Sequence, residues 1–367
     1  MLKIKNFAKA NAVFLIALTL AILSSFIVKP DREYWDYLDL KTLACLFCTL
    51  AVVCALKDIK FFTILARKII SATGSLRSAM LALVFITFFG SMLIANDMAL
   101  ITFLPLGHYV LSSTGKENYM AFVFVMQNIA ANLGGMLTPF GNPQNLYLYA
   151  KFNISNSEFI SIMLPLFLTS TAIILACCLL IKNEKIEPCE KLDLHLNRPL
   201  TAIYALLFAI SIAIVFRVIP YHIGTLIVFI GIFVFDKRAL KNVDYGLLLT
   251  FVCFLIFTGN MARIGAVREL FSALLDKNTL LVSILSCQFI SNVPSAILLS
   301  QFTENYRELL MGVNIGGTGT LIASLASLIT FREYTSHNKG KALKYLGVFT
   351  AFNALFLVIL TAEALFI

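Results

Sequence analysis

Residues 128–145 read NIAANLGGMLTPFGNPQN, and no uninterrupted helix runs through such a stretch. Adjacent glycines (Gly134, Gly135), prolines at Pro139 and Pro143, and the asparagines Asn132, Asn142 and Asn145 break the helical hydrogen-bond ladder. Apolar runs, YMAFVFVM and LYLY, flank it on both sides. The surroundings make the break informative. Of all residues 59% are hydrophobic and 13% charged, and the mean hydropathy is +0.88, so most of the chain lies in a bilayer. Non-helical backbone at membrane depth is tolerated only where protein buries it or a water-filled cavity receives it. The stretch is therefore either a discontinuous transmembrane helix whose freed backbone groups line a binding site, or a polar loop between two short helices.

A repeat favours the first reading. Asn132-Leu-Gly134-Gly135-Met-Leu-Thr138 has the form N-x-G-G-x-x-T, and Asn314-Ile-Gly316-Gly317-Thr318-Gly319-Thr320 has it again with identical spacing. Upstream of each copy lies a second related pair, IANDMAL at 94–100 and ISNVPSAIL at 290–298. Each puts an asparagine and small or polar residues at the tip of an apolar segment. Corresponding Gly/Pro-interrupted hydrophobic segments in two halves point to a transporter's binding site.

Apolar runs of bilayer length predict spans near 11–28, 40–56, 119–150 (broken), 159–181, 199–216, 222–235, 246–260, 307–331 (broken) and 343–366. Regions 78–114 and 279–304 read as re-entrant hairpins. The fold expected is an all-α polytopic membrane protein built from inverted-topology repeats, 1–181 and 199–367, joined by a cytoplasmic linker over 182–198. With the N terminus in the cytoplasm, the inside segments collect twenty of the 29 Lys and Arg. Lys3, Lys5 and Lys9, Lys57 to Arg77, and Lys191 are among them. The first outside loop carries Asp31, Glu33, Asp36 and Asp39. This is the positive-inside pattern of a plasma or inner membrane protein with its C terminus outside, and it accounts for the +9 charge without a nucleic-acid partner. Amphipathic stretches, DIKFFTILARKII and ARIGAVRELFSALL, precede the hairpins as interfacial elbows or as regulatory surface helices.

The remaining chemistry is sparse. Cys45 and Cys48 have C-x-x-C spacing inside an apolar helix without a nearby histidine, and Cys177 and Cys178 are adjacent in another, so the cysteines read as buried small hydrophobes. His108 is either a proton relay or a packed histidine, and His195, His222 and His337 lie in loops or at span ends. No G-x-S-x-G, H-E-x-x-H or phosphate-binding glycine motif occurs, which argues against an enzyme. Asp97 stands out, because an acid at a hairpin tip within the membrane must be paired, hydrated or protonated. The bland alternative is a tip that reaches the cytoplasmic interface.

On ANDMALITFLP, NLGGMLTPFGNPQN, ISNVPSA and NIGGTGTLIASLASL the chain resembles the ion transporter superfamily, and within it the citrate-transporter and divalent anion:sodium symporter group together with arsenite permeases. The resemblance covers almost the whole length. It implies hairpin tips that bind cation and substrate carboxylate through a Ser-Asn-Thr motif, and a homodimer whose interface falls on spans 199–216 and 222–235. Here the tips read Asn96-Asp97-Met98 and Ser291-Asn292-Val293, and the first is closer to the Asn-Asp of arsenite permeases. Oxygens of Asn96, Asp97, Gly134, Thr138 and Asn142 are candidates for a coupling cation, Na+ or H+. Ser291, Asn292, Asn314, Gly316 and Thr320 are the second set. Asn96, Thr138, Asn142, Asn145, Ser291, Asn292, Asn314, Thr318 and Thr320 are the candidates for a small anionic substrate. No other cofactor is expected. Three functions stay open: a cation-coupled anion importer, an oxyacid extruder or sodium/proton exchanger with Asp97 as the titrating group, and a membrane sensor or scaffold.

Overall fold

A computed structural model describes residues 12–186 and 196–367. Lys3, Lys5, Lys9, Lys191 and His195 lie outside the described residues. Every described element longer than an isolated bridge is helical: α1 (Ala12–Ile27), α2 (Leu40–Asp58), α3 (Phe61–Ser71), α4 (Leu76–Ile94), α5 (Asn96–Ser113), α6 (Met120–Gly134), α7 (Pro143–Lys151), α8 (Asn156–Leu179) and α9 (Arg198–Val215). There follow α10 (Tyr221–Phe235), α11 (Lys237–Asn242), α12 (Tyr245–Ala262), α13 (Gly265–Lys277), α14 (Thr279–Ile290), α15 (Asn292–Leu299), α16 (Tyr306–Gly316), α17 (Leu325–His337) and α18 (Ala342–Ala364). Seven described helices are long and apolar enough to cross a membrane, so the chain is an all-α polytopic membrane protein.

Polar residues at the apolar boundaries set the helix starts. The side chains of Asp39, Ser75, Ser155, Asn197, Asp244 and Asn278 each accept from a backbone N–H of the first turn of the helix that follows. They replace bonds that a helix N-terminus lacks. Two helix pairs, α4–α5 and α14–α15, turn on a single residue each, Ala95 and Ser291. The described start of the linker is tied to the first pair. Lys116 Nζ lies 2.5 Å from Glu184 Oε2, and Arg77 Nε donates to the Ile181 carbonyl at 2.7 Å.

The same packing scheme occurs twice. The first helix of each pair lies along the half-helix that follows, α4 on α6 and α14 on α16. Glycines permit the approach. A Cβ on Gly134 would stand 2.2 Å from the Phe88 carbonyl oxygen, and one on Gly316 would stand 2.8 Å from Cys287. Such small-residue contacts let helices meet without a hydrophobic drive between them in lipid. Sequence reading cast these glycines as helix breakers. Both close their half-helices, in ordinary right-handed conformation, and they also serve as contact points. Around this core α1 packs on α12, where Asn260 Nδ2 donates to Ser24 Oγ at 3.0 Å, and α2 packs on α9 and α10. The seven described cysteines are buried.

Outside the spans, Arg263 binds Asp31 at 2.7 Å and 3.1 Å. Hydrogen bonds from this guanidinium hold the Asp31 carboxyl below its ordinary value of 3.8. A lowered value means the tie acts above that pH and is lost as pH falls through the folded value. Asp31→Asn should therefore be slightly less stable than wild type at neutral pH, and the difference should shrink and vanish as acid protonates the wild-type carboxyl, read in thermal unfolding across pH. Gly134→Ala should destabilise by roughly 1–3 kcal/mol, because backbone must move. Gly347→Ala in α18, with open space around it, should be neutral or stabilising by up to about 1 kcal/mol. Equal effects of the two in detergent melts would contradict this packing.

Candidate functional site

The helix beginning at Met120 ends at Gly134, passes through a 3-10 turn (Gly135–Leu137) and becomes extended at Thr138 and again at Asn142, after which Pro143 starts α7. The second break runs from Gly317 to Ser324, with Gly319 at φ +116°. Between α6 and α7 on one side and α16 and α17 on the other lies a cluster of fully buried amides and hydroxyls.

Its bonds cross between the two breaks. Asn132 Nδ2 donates to Ser324 Oγ at 3.1 Å, while Asn142 Nδ2 reaches Asn314 Oδ1 at 3.4 Å. Asn142 follows Asn132 by ten residues, and Ser324 follows Asn314 by the same ten. The leading asparagine of each motif thus meets the residue that opens the other break's second half-helix. Further bonds run from Asn314 Nδ2 to Asn145 Oδ1 at 2.6 Å and from Asn128 Nδ2 to Ser327 Oγ at 3.3 Å. Asn145 Nδ2 donates to the carbonyls of Gly135 and Met136 at 3.4 Å and 3.3 Å.

Asn142 occupies an N-cap position, yet its side chain does not cap α7. Its Nδ2 also donates to the Asn132 carbonyl at 3.1 Å, and its Oδ1 is buried with no donor among the described residues. A buried amide oxygen without a partner is costly, and so marks a place where a ligand would supply one. Its surroundings are amide, hydroxyl and carbonyl oxygens, a donor set that suits a hard cation.

The hairpin tips reach the cluster in matched fashion. Ala95 (φ 55°, ψ 148°) and Ser291 (φ 75°, ψ 158°) adopt left-handed backbone that non-glycine residues rarely take. Each is followed by an asparagine whose Oδ1 accepts from the next N–H at 2.9 Å, Asn96 from Asp97 and Asn292 from Val293. Asn96 Nδ2 then donates to Asn132 Oδ1 at 3.0 Å, and the Asn292 N–H donates to the Ala323 carbonyl at 2.9 Å. Ser291 Oγ lies within 3.4 Å of that same carbonyl.

Other candidate residues take different positions. Thr138 Oγ1 donates to the Met92 carbonyl at 2.8 Å, and Thr318 Oγ1 donates to the Ile315 carbonyl at 2.6 Å. Thr320 is exposed and bound through N–H and hydroxyl to Gln288 at 2.9 Å and 3.0 Å. Gly134 and Gly316 act as packing points, and the Gly316 carbonyl accepts from Gln288 Nε2 at 3.0 Å. The half-buried Asp97 carboxylate has no hydrogen-bond or ion-pair partner among the described residues. His108 lies away from the asparagines, stacked on His337 with ring centroids 3.7 Å apart.

Asn128, Asn132, Ser324, Ser327 and Gln288 were absent from the sequence-derived site set. A signal existed for the first four. Asn128 and Asn132 are four apart, and Ser324 and Ser327 three apart, so each pair shares a helix face in otherwise apolar sequence. Gln288 had no such mark.

Asn142→Ala and Asn314→Ala should each destabilise by roughly 1–3 kcal/mol. The double variant should show a coupling energy of about 0.5 kcal/mol or more in a double-mutant cycle by denaturant unfolding in micelles. Strict additivity would mean that the two breaks do not hold each other.

Comparison with known proteins fits this architecture. A family model described as citrate transporter matches residues 4–306. An uncharacterized transporter of Methanocaldococcus jannaschii is 32% identical over 358 residues, covering 96% of this chain and 97% of that protein. The inner membrane protein YbiR of Escherichia coli is 27% identical over 316 residues, 84% of each chain. A silicon efflux transporter of Oryza sativa is 30% identical over 148 residues, 40% of this chain and 30% of its own.

Proposed function

We infer the function from the premise that this chain belongs to the citrate transporter family: it is a membrane transporter, and within that class a secondary active one that moves a small anion together with Na+ or H+. The observation that carries the finer reading is the crosswise bonding of two broken helices around the unpartnered Asn142 Oδ1. Among the described residues, no buried residue carries a charge. An anion held there, a di- or tricarboxylate or an inorganic oxyanion, needs its charge balanced by helix dipoles and a co-bound cation. Cation binding at amide and carbonyl oxygens would complete the anion site, and that is coupling.

The hairpins and breaks form two units of the same element order, residues 76–151 and 279–337. Inserted with opposite orientation, they would be the inverted repeats whose rocking gives alternating access. A homodimer held through α9 and α10 would provide the fixed frame. The N terminus in the cytoplasm and the C terminus outside complete this topology.

One observation favours a second reading. Asp97 holds an unpartnered carboxylate next to Asn96, where a proton would be taken up and released during oxyacid efflux or cation exchange. The rice relative's name, a silicon efflux transporter, points the same way.

Uptake of labelled citrate or a C4-dicarboxylate into proteoliposomes, with and without an inward sodium gradient and at two pH values, separates these readings. Sodium-stimulated accumulation that falls at least about tenfold in Asn142→Ala and Asn314→Ala supports the symporter. Absence of uptake in correctly inserted protein, with proton-dependent efflux of an oxyacid that loses its pH dependence in Asp97→Asn, overturns it for the second reading. Full transport by both asparagine variants would remove the site itself.

A further inference from the structure

A second polar feature lies apart from the asparagine cluster. A cleft of about 270 Å³ opens between the end of α2, the elbow helix α3 and the hairpin helix α5, lined by Lys57, Thr63, Arg67, Ile101, Thr102, Pro105 and Leu106. Two cations and two hydroxyls face it, and no carboxylate lines it. Neither cation has an ion-pair partner among the described residues. The Arg67 guanidinium lies over the Tyr109 ring, 5.5 Å from its centroid, while Arg67 Nε is buried without an acceptor. Asp58, the nearest acid in sequence to Lys57, accepts instead from Asn242 Nδ2 at 3.2 Å.

Of α3, Thr63 and Arg67 line the cleft, while its N-cap, Lys60, and its first residues, Phe61 and Phe62, do not. Thr63 and Arg67 are four apart on that helix and present one face. Two hydroxyls and two cations without anionic partners around an open cleft are the parts of an oxyanion site. Two basic side chains left half-buried without anionic partners are explained if a ligand provides the anion.

We propose that this cleft binds a phosphate-type oxyanion, the headgroup of an anionic lipid or a free phosphate, through Lys57, Arg67 and Thr63. Under the positive-inside topology it opens at the cytoplasmic surface, where anionic headgroups concentrate. An occupant would bridge α3 to α5, the helix that begins at Asn96, and so would bear on the hairpin without touching the asparagine cluster. The proposal does not rest on transport of any particular substrate, and its test reads binding.

The full chain in neutral detergent micelles is melted against increasing phosphatidylglycerol, with phosphatidylcholine as control. It is melted in parallel against inorganic phosphate, with chloride at matched ionic strength. A midpoint raised by the lipid alone assigns the site to a headgroup, and one raised by phosphate assigns it to a free anion. In either case Lys57→Gln should raise the half-saturating concentration about fivefold and Arg67→Gln by a similar factor. Lys68→Gln makes the same charge change on an exposed neighbouring residue outside the cleft and should leave it unchanged. Phosphate bound at the asparagine cluster would be indifferent to Lys57→Gln, which separates the two sites. No stabilisation of wild type, or an equal response in Lys57→Gln and Lys68→Gln, overturns the proposal. If Arg67→Gln does not fold, Lys57→Gln decides alone.

Discussion

Buried amides that bond to one another across two broken helices govern this structure. Hydrocarbon offers no water, so each unmatched polar group is worth several kcal/mol against folding. Asn132 finds Ser324, and Asn142 finds Asn314. Each asparagine also bonds within its own break, Asn142 to the Asn132 carbonyl and Asn314 to the Leu310 carbonyl, and the crosswise bonds add the link that brings the two halves of the chain together at these residues. The orientation of α6, α7, α16 and α17 follows from that link more than from apolar packing, because lipid competes for apolar surface.

Close approach and strain deliver the rest. Gly134 and Gly316 bring α6 and α16 against α4 and α14 closely enough for the hairpin tips to reach the breaks. The left-handed backbone at Ala95 and Ser291 then turns Asn96 and Asn292 into the cluster. Conformations of this kind are worth roughly 1–3 kcal/mol against the fold and persist where surrounding structure over-determines them. Both tips are held in the same way, with the asparagine side chain folded onto the following N–H. Asn142 Oδ1 remains unmatched among the crosswise-bonded amides, as do the nearby Gln127 and Gln144 side-chain oxygens on α6 and α7.

Much of the architecture was legible in the chain. Apolar run lengths placed most of the long helices, among them Leu40–Asp58, Asn156–Leu179, Arg198–Val215, Tyr245–Ala262 and Ala342–Ala364. Asn96, Asn142, Asn145, Asn292 and Asn314 were visible as polar residues inside apolar sequence, and all five are buried near the breaks. The glycines end their half-helices where the sequence placed the breaks, and they also pack. A G-G pair in sequence suggests a broken backbone, but absence of a Cβ serves equally for helix contact, and only the neighbour's position reveals that second use. Thr320 carried the motif spacing yet turns to Gln288, because a hydroxyl takes whichever partner the loop brings near.

The sequence by itself determined that this is a polytopic helical membrane protein with two interrupted hydrophobic segments, since bilayer thickness and the missing backbone donors constrain any fold with that pattern. It also marked which asparagines need partners. Tertiary structure alone decided who those partners are, that the bonds run crosswise between the halves, and that Asn142 is left with a free oxygen. A hydrogen bond between residues some 170 positions apart, such as Asn142 to Asn314, depends on how helices are placed in three dimensions, and no local pattern of residues encodes that placement.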